Sequence, residues 1–288
     1  ITAQLNPVRD LIIDLKLDKS FSKQYSELYK DTTGSSGFAR LNPYAMGSFS
    51  ISYISYQTLF EKFDPNVVSN TFKEFENNRL ILSKRLSDLN GYQGGVKDPN
   101  DPNYYQGYGR YAQDVVIPSF LAAYTKKDPT SVKLFKNSNP GIRSNPFAGL
   151  LPKPNWDITY NGLSNIPGLD KIFSNVTIRH GYHSTLSMSS FNTALLFTVP
   201  NRIGYPYFRD TLTGNYVPYF LVPNLTIEES FDPMISLDVT FTNQLTTRFE
   251  FSKRRQLSLS LIDYQLAENR STEFRFGFNY RKKGLPLL

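Results

Sequence analysis

From Ile235 the chain alternates strictly: Ile235, Leu237, Val239 and Phe241 on one parity, Ser236, Asp238, Thr240 and Thr242 on the other. Successive side chains of an extended strand point to opposite faces, so this stretch predicts a strand with one apolar and one polar side. The same parity continues through Leu245, Phe249 and Phe251, with Arg248 and Glu250 opposite. Two readings stay open at Asn243, a turn or one long strand running through it. The polar run Ser252 to Arg255 reads as a turn, after which Leu257, Leu259 and Leu261 alternate with Ser258 and Ser260. A second polar break, Ala267 to Ser271, precedes Phe274, Phe276, Phe278 and Tyr280, which alternate with Arg275, Gly277, Asn279 and Arg281. The apolar parity changes from odd to even across that break, and a turn accounts for the change.

Shorter alternations lie upstream. Leu11, Ile13, Leu15 and Leu17 share one parity, as do Phe49, Ile51 and Tyr53, then Trp156, Ile158 and Tyr160, then Val176, Ile178, Tyr182 and Leu186. Tyr219, Leu221, Leu225 and Ile227 form another set, with Pro223 on the same face removing a ladder donor and marking a bulge or edge. Roughly eight to ten strands are expected, an all-β pattern. Between Phe60 and Pro154 the period changes. Asp64-Pro65 offers a helix entry, Phe72, Phe75, Leu82 and Leu86 fall at helical spacing, and Asn90-Gly91 offers a stop. A shorter helix is expected from near Pro118, including Phe120, Leu121 and Tyr124, beyond the turn-rich Asp98 to Tyr105. The expected organisation is barrel strands over 1–60, a helical and loop insertion over 61–154, and barrel strands over 155–288. An insertion of that length predicts a lid, plug or docking surface.

Alternation alone does not separate a soluble sandwich from a membrane barrel, since the two are one pattern turned inside out. Strand lengths near the 9–11 residues that cross a bilayer, apolar faces of almost pure Leu, Ile and Phe, and short turns set against long upstream loops favour the barrel. On that reading Ile235, Leu237, Val239, Phe241, Leu257, Leu259, Leu261, Phe274, Phe276 and Phe278 face lipid, and Arg179, Asp238, Arg248, Glu250 and Arg275 face the lumen. The arginines either line a channel or pair with acidic neighbours across strands. No apolar run approaches the roughly 18 residues of a spanning helix.

Composition sharpens this picture at three points. Aromatic residues make up 15% of the chain, with 19 Tyr and 22 Phe against one Trp, which suits interfaces and membrane girdles. Cysteine is absent, which excludes disulfides and thiolate metal sites. The formal charge of +7 is scattered along the chain, which argues against a nucleic-acid partner. The chain begins at Ile1 with no leader and reads as an excerpt of a longer product.

Candidate chemistry is sparse, and neither an enzyme nor a cofactor is expected. His180 and His183 fall on opposite faces of a strand and so do not share one metal. Glu228 and Glu229 likewise diverge, and Asp98 and Asp101 lack calcium-loop spacing. Phosphate-binding and nucleophile-elbow motifs are missing. Lys253-Arg254-Arg255 reads as a solvated turn.

Several long stretches resemble the SprA/Sov family, the outer-membrane translocon of type IX secretion. They are GRYAQDVVIPSFLAAYT from Gly109, PNWDITYNGLSNIPGLDKIF from Pro154, GNYVPYFLVPNLTI from Gly214, NQLTTRFEFSKRRQLSLSLIDYQL from Asn243 and the closing RKKGLP from Arg281. The resemblance covers most of the chain. It implies a part, towards the C-terminal end, of a very large transmembrane antiparallel β-barrel that passes folded cargo proteins to the cell surface. It also implies partners: a PorV-like outer-membrane barrel, a periplasmic plug protein, cargo carrying C-terminal sorting domains, and outer-membrane lipid. In some species the family supports gliding motility. Two other classes remain as alternatives, an outer-membrane uptake or ligand-binding barrel and a soluble β-sandwich binding module.

Overall fold

The alternating C-terminal third forms three consecutive antiparallel strands, β8 (Asn224–Phe241), β9 (Leu245–Ser260) and β10 (Gln265–Tyr280). These come from a computed structural model that describes residues 1–31, 37–62, 64–91, 94–134, 149–197 and 207–281. A tight turn at 242–244 joins β8 to β9, with Gln244 at φ 68° and the Asn243 side chain accepting the Leu245 N–H at 3.1 Å. The open choice at Asn243 is therefore settled as a turn. The two polar runs are not turns. Arg255 pairs in register with Glu229 and Arg270, and Lys253 with Phe231 and Thr272, so β9 and β10 run straight through them. The intervening turn lies at 261–264, where Tyr264 takes φ 56° and Ser260 and Asp263 are hydrogen-bonded. Its apolar Leu261 and Ile262 concealed it. The change of parity is the register of this single hairpin, in which Leu266 faces Leu259 and Phe274 faces Phe251.

The centre of the sheet is β6 (Phe173–Thr193), paired with β8 along one edge. Its other edge is shared. β4 (Phe38–Ser52) covers one half and β5 (Asn155–Tyr160) the other, so Ser52 opposite Thr185 is followed almost in line by Trp156 opposite Tyr182. The two therefore make one composite strand, interrupted by the insertion. The neck is closed by the Lys153 N–H donating to the Ser52 carbonyl at 2.9 Å. Outside them β2 (Leu11–Lys16) pairs β5 and β3 (Lys19–Asp31) pairs β4, another strand bent at its middle. β1 (Thr2–Leu5) flanks β2, and the two-residue β7 (Phe220–Leu221) precedes β8. The result is a ten-stranded antiparallel sheet curled into a half-barrel, with 49% of residues in strands: an all-β chain.

Within the insertion, α1 (Asn70–Leu89) starts later than Asp64-Pro65, because the Ser69 hydroxyl caps it by accepting the Phe72 N–H at 3.1 Å. Asp64 instead closes an Asx turn onto the Asn66 N–H at 2.9 Å. α1 ends at Asn90. α2 (Gln113–Tyr124) begins five residues before Pro118, which sits inside it and gives up one helical hydrogen bond. Burial of every residue from Asp114 to Tyr124 outweighs that loss. Phe75 packs with Val116, Ile117, Phe120 and Tyr124 onto Leu225, Ile227, Leu257 and Leu259 of the sheet, with Phe72 against the edge of this core. Leu82 and Leu86 join Tyr108, Val115 and Tyr216 in a second cluster.

Candidate functional site

Register divides the wall into two faces, and the five polar residues singled out above converge on one of them. Asp238 lies directly opposite Arg248, and Glu250 directly opposite Arg275. The charges form a ladder across four strands: Arg179 to Asp238 at 3.1 Å, Asp238 to Arg248 at 3.3 Å, Arg248 to Glu250 at 3.5 Å and Glu250 to Arg275 at 2.9 Å. Glu273 extends it, at 2.8 Å from Arg275. Of the two readings of these arginines, pairing with acidic neighbours is what the geometry displays. One bulge nearer the insertion, Asp232 bonds the Ser252 hydroxyl at 3.0 Å and pairs Arg254.

The opposite face has two zones. Toward the 242–244 turn it is bare: Phe274, Phe276 and Phe278 are 67%, 72% and 76% exposed, and Ile235, Phe249 and Tyr280 are also exposed. Phe251 stacks on Phe274 at 4.5 Å, and Phe173 packs on Phe241 at 5.3 Å beside the turn. Leu237 is half-buried, and Val239, read from sequence as lipid-facing, is buried among its strand neighbours. Toward the other end the same face lies under the insertion. Leu257 and Leu259, read from sequence as lipid-facing, are buried there, and Leu261 packs against the same core. Alternation reports an apolar face but not what covers it, which is why one pattern had two outcomes.

At the boundary sits a group that sequence reading placed in solvent. The side chains of Arg255 and Glu229 are both fully buried. The Arg255 guanidinium donates to Glu229 (Nε to Oε1, 2.6 Å), to the Ser55 carbonyl at 3.2 Å and to the Thr58 hydroxyl at 2.8 Å. Glu229 Oε2 accepts from Ser55 Oγ at 2.6 Å and from the Tyr182 hydroxyl at 3.1 Å. Arg255 Nη1 lies 3.5 Å from Glu268, within ion-pairing range but without hydrogen-bond geometry. Ser55 precedes and Thr58 ends a 3₁₀ turn at Tyr56–Thr58, where the chain leaves β4 for the insertion. The pair thus ties the root of the insertion to β8 and β9. A second tie joins Lys126, after α2, to Glu61 and Glu74 at 2.8 Å each, while Arg270 donates to the Glu61 carbonyl at 3.1 Å. Burial pushes the Glu61 carboxyl up, but hydrogen bonds from Lys126 and Thr71 and the charges of Lys126 and Arg270 outweigh it and hold it below the usual range. Burial raises the Tyr124 hydroxyl well above its ordinary pKa, so it stays neutral beside this network.

The remaining candidates have ordinary partners. His180 Nδ1 lies 2.6 Å from the Met234 carbonyl, and its ring packs near Trp156 and Phe231. His183 Nε2 lies 3.0 Å from Asp157 on the polar side. Glu228 is exposed while Glu229 is buried, and Asp98 and Asp101 each cap a turn two residues on. No cluster of His, Asp and Glu arranged to hold a metal occurs among the described residues. A cleft of about 820 Å³ opens where β3, β4 and β6 meet the loops around Gln113 and Asn215. Its walls are mainly apolar, with Phe191, Val222, Leu261 and Ile262 beside scattered hydroxyls and amides and the carboxylate of Asp210, and lack the convergent charges of a catalytic centre. Of the stretches resembling the translocon family, the closing one lies beyond Arg281 outside the described residues. Comparison with models of known protein families and with characterised proteins finds no match.

Proposed function

We propose that this chain is a wall segment of a transmembrane β-barrel in a bacterial outer membrane. The observation that carries the reading is the bare aromatic zone on one face of the wall, backed by a neutralised ladder of ion pairs on the other. Lipid accepts the first, and a water-filled lumen accepts the second. Every strand from β4 onward pairs antiparallel with its neighbour, the up-and-down connectivity that membrane barrels use. At ~3.3 Å per residue the 21 residues of β6 extend about 70 Å, far more than a bilayer requires, so the wall rises past the membrane and holds the insertion outside it. A soluble sandwich would need a second layer over Phe274, Phe276 and Phe278, and among the described residues none lies there.

Among barrels, the protein-conducting translocon of type IX secretion fits best, on the strength of the long stretches that resemble it. The role is then passive. The wall confines a lumen through which folded cargo passes, and the insertion forms a platform for a partner such as a PorV-like barrel or a plug protein. Fractionation of the native polypeptide containing these residues tests this. A very large, detergent-requiring outer-membrane species is expected, and a soluble species near 33.0 kDa would refute it.

A further inference from the structure

The insertion and the bare aromatic zone share one face of the sheet, one above the other. From Phe274 to Tyr280 the zone runs about 20 Å along β10 at ~3.3 Å per residue, and less across a bilayer once the strands tilt. A barrel's apolar girdle is about 25 Å tall. The strands alone therefore fall short, and the next row must belong to the girdle's upper edge. That row holds Phe231, Lys253 and Thr272. Phe60, from the root of the insertion, lies over it: its ring is 5.5 Å from that of Phe231, and the Lys253 ammonium is 4.8 Å from its centroid. Phe60 is nevertheless 46% exposed. Lys253 is unlike the cations around it. Arg254 pairs Asp232, Arg255 pairs Glu229 and Arg270 pairs Glu268, whereas no carboxylate of the described residues pairs Lys253. A half-buried ammonium against an aromatic ring, above an apolar girdle, is placed to meet an anion at the membrane surface.

We propose that Phe60 and Lys253 form a lipid-interface site, with the Phe60 ring at the boundary between acyl chains and headgroups and the Lys253 ammonium on the phosphate of an anionic lipid. The insertion then sits on the lipid side of the wall, resting on the bilayer surface, and does not plug the lumen. This rests on the barrel reading, and the test separates the two. In the full-length polypeptide, reconstituted in nanodiscs of phosphatidylcholine with and without phosphatidylglycerol, nitroxide labels are attached at Phe60→Cys and, separately, at Phe276→Cys. Collision with oxygen and with a water-soluble nickel complex reports depth. A buried signal at 276 with an interfacial signal at 60 is expected. A buried signal at 276 with a fully aqueous signal at 60 overturns the interface site and leaves the barrel standing; an aqueous signal at 276 removes both. Independently, with Phe60 intact, native mass spectrometry should find Lys253→Gln retaining phosphatidylglycerol about fivefold more weakly, while phosphatidylcholine retention is unchanged. Equal loss of both lipids, or of neither, refutes the role of the ammonium.

Discussion

Replacing Glu229 with Ala would leave the Arg255 guanidinium inside the protein without its counter-charge. Both side chains are fully buried, and Ser55 Oγ and the Tyr182 hydroxyl lose their common acceptor in the same step. Breaking a buried pair from one side costs about 3–5 kcal/mol. Glu268, already 3.5 Å from Arg255 Nη1, is the one carboxylate among the described residues poised to compensate, which argues for the lower half of that range. The loss falls on the root of the insertion, since Arg255 also holds the Ser55 carbonyl and the Thr58 hydroxyl. It should therefore appear as local undocking. At 1.4 kcal/mol per factor of ten, the lower half of that range shifts the undocking equilibrium by about 10²- to 10³-fold. Trypsin reads this directly, because Arg85 and Lys127 are held in the docked insertion by hydrogen bonds to the Val132 carbonyl and the Tyr53 hydroxyl. When opening is fast relative to cleavage, the cleavage rate follows the open population. The Glu229→Ala variant should be cut within the insertion at least a hundredfold faster, while the strands stay resistant. The double variant Glu229→Met with Arg255→Met, which removes both charges and keeps the volume, should recover most of the protection. Cleavage of the single variant at the wild-type rate, or a double variant no better than the single, would refute the reasoning.

Three further outcomes follow from other parts of the molecule. Phe276→Arg places a charge in the bare zone and should weaken folding into lipid vesicles by about 2–4 kcal/mol, measured by urea titration; an unchanged midpoint would remove lipid from that face. The Glu61 carboxyl has a folded pKa below its ordinary value of 4.5, so its contribution is present above that value and lost as pH falls through the folded pKa. Protease protection of the insertion should therefore decline on acidification below about pH 4.5 in the wild type but not in Glu61→Gln, and parallel pH profiles would contradict the tie to Lys126. Gly47→Ala would drive a methyl group into the Ser22 carbonyl and the Phe191 ring at a bulge of β4. It should destabilise the wall by about 1–3 kcal/mol in the same titration, and a neutral result would mean that the β3–β4 contact is looser than described.

Much of the wall could be read from its residues, and the gaps have physical reasons. The halves of β8 to β10 nearest the 242–244 turn are legible because their apolar faces are nearly unbroken there, and parity puts Arg179, Asp238, Arg248, Glu250 and Arg275 on one face, but their pairing into a ladder needs the register. β3 was not visible. On its inward parity Lys19 and Lys23 interleave with Phe21 and Tyr25, so the alternation reads as mixed, although Phe21 stacks on Phe191 at 5.7 Å. Arg255 was misread for a different reason. Its counter-ion lies on the preceding strand and its other acceptors, Ser55 and Thr58, sit 200 and 197 positions away, so only the folded chain shows that a charged run enters the core. The cap at Ser69 was passed over in favour of Asp64-Pro65, a sequence equally suited to a turn.

The neck of the insertion decides how the rest of the molecule is built. Because Ser52 and Lys153 are bonded to each other, residues 53–152 leave and re-enter the sheet at one point, and every strand pairing outside them is indifferent to their length. Chain-closure entropy grows only logarithmically with the size of such a loop. The wall therefore carries its appendage as a mast carries a flag. The outer loops of the appendage can be lengthened or trimmed without shifting the stagger of a single rung, provided that what remains still covers Leu225, Ile227, Leu257 and Leu259 and meets the buried Arg255. Variation among related molecules should accordingly concentrate beyond this neck, and an engineered cargo or reporter would find its most tolerant site of attachment there.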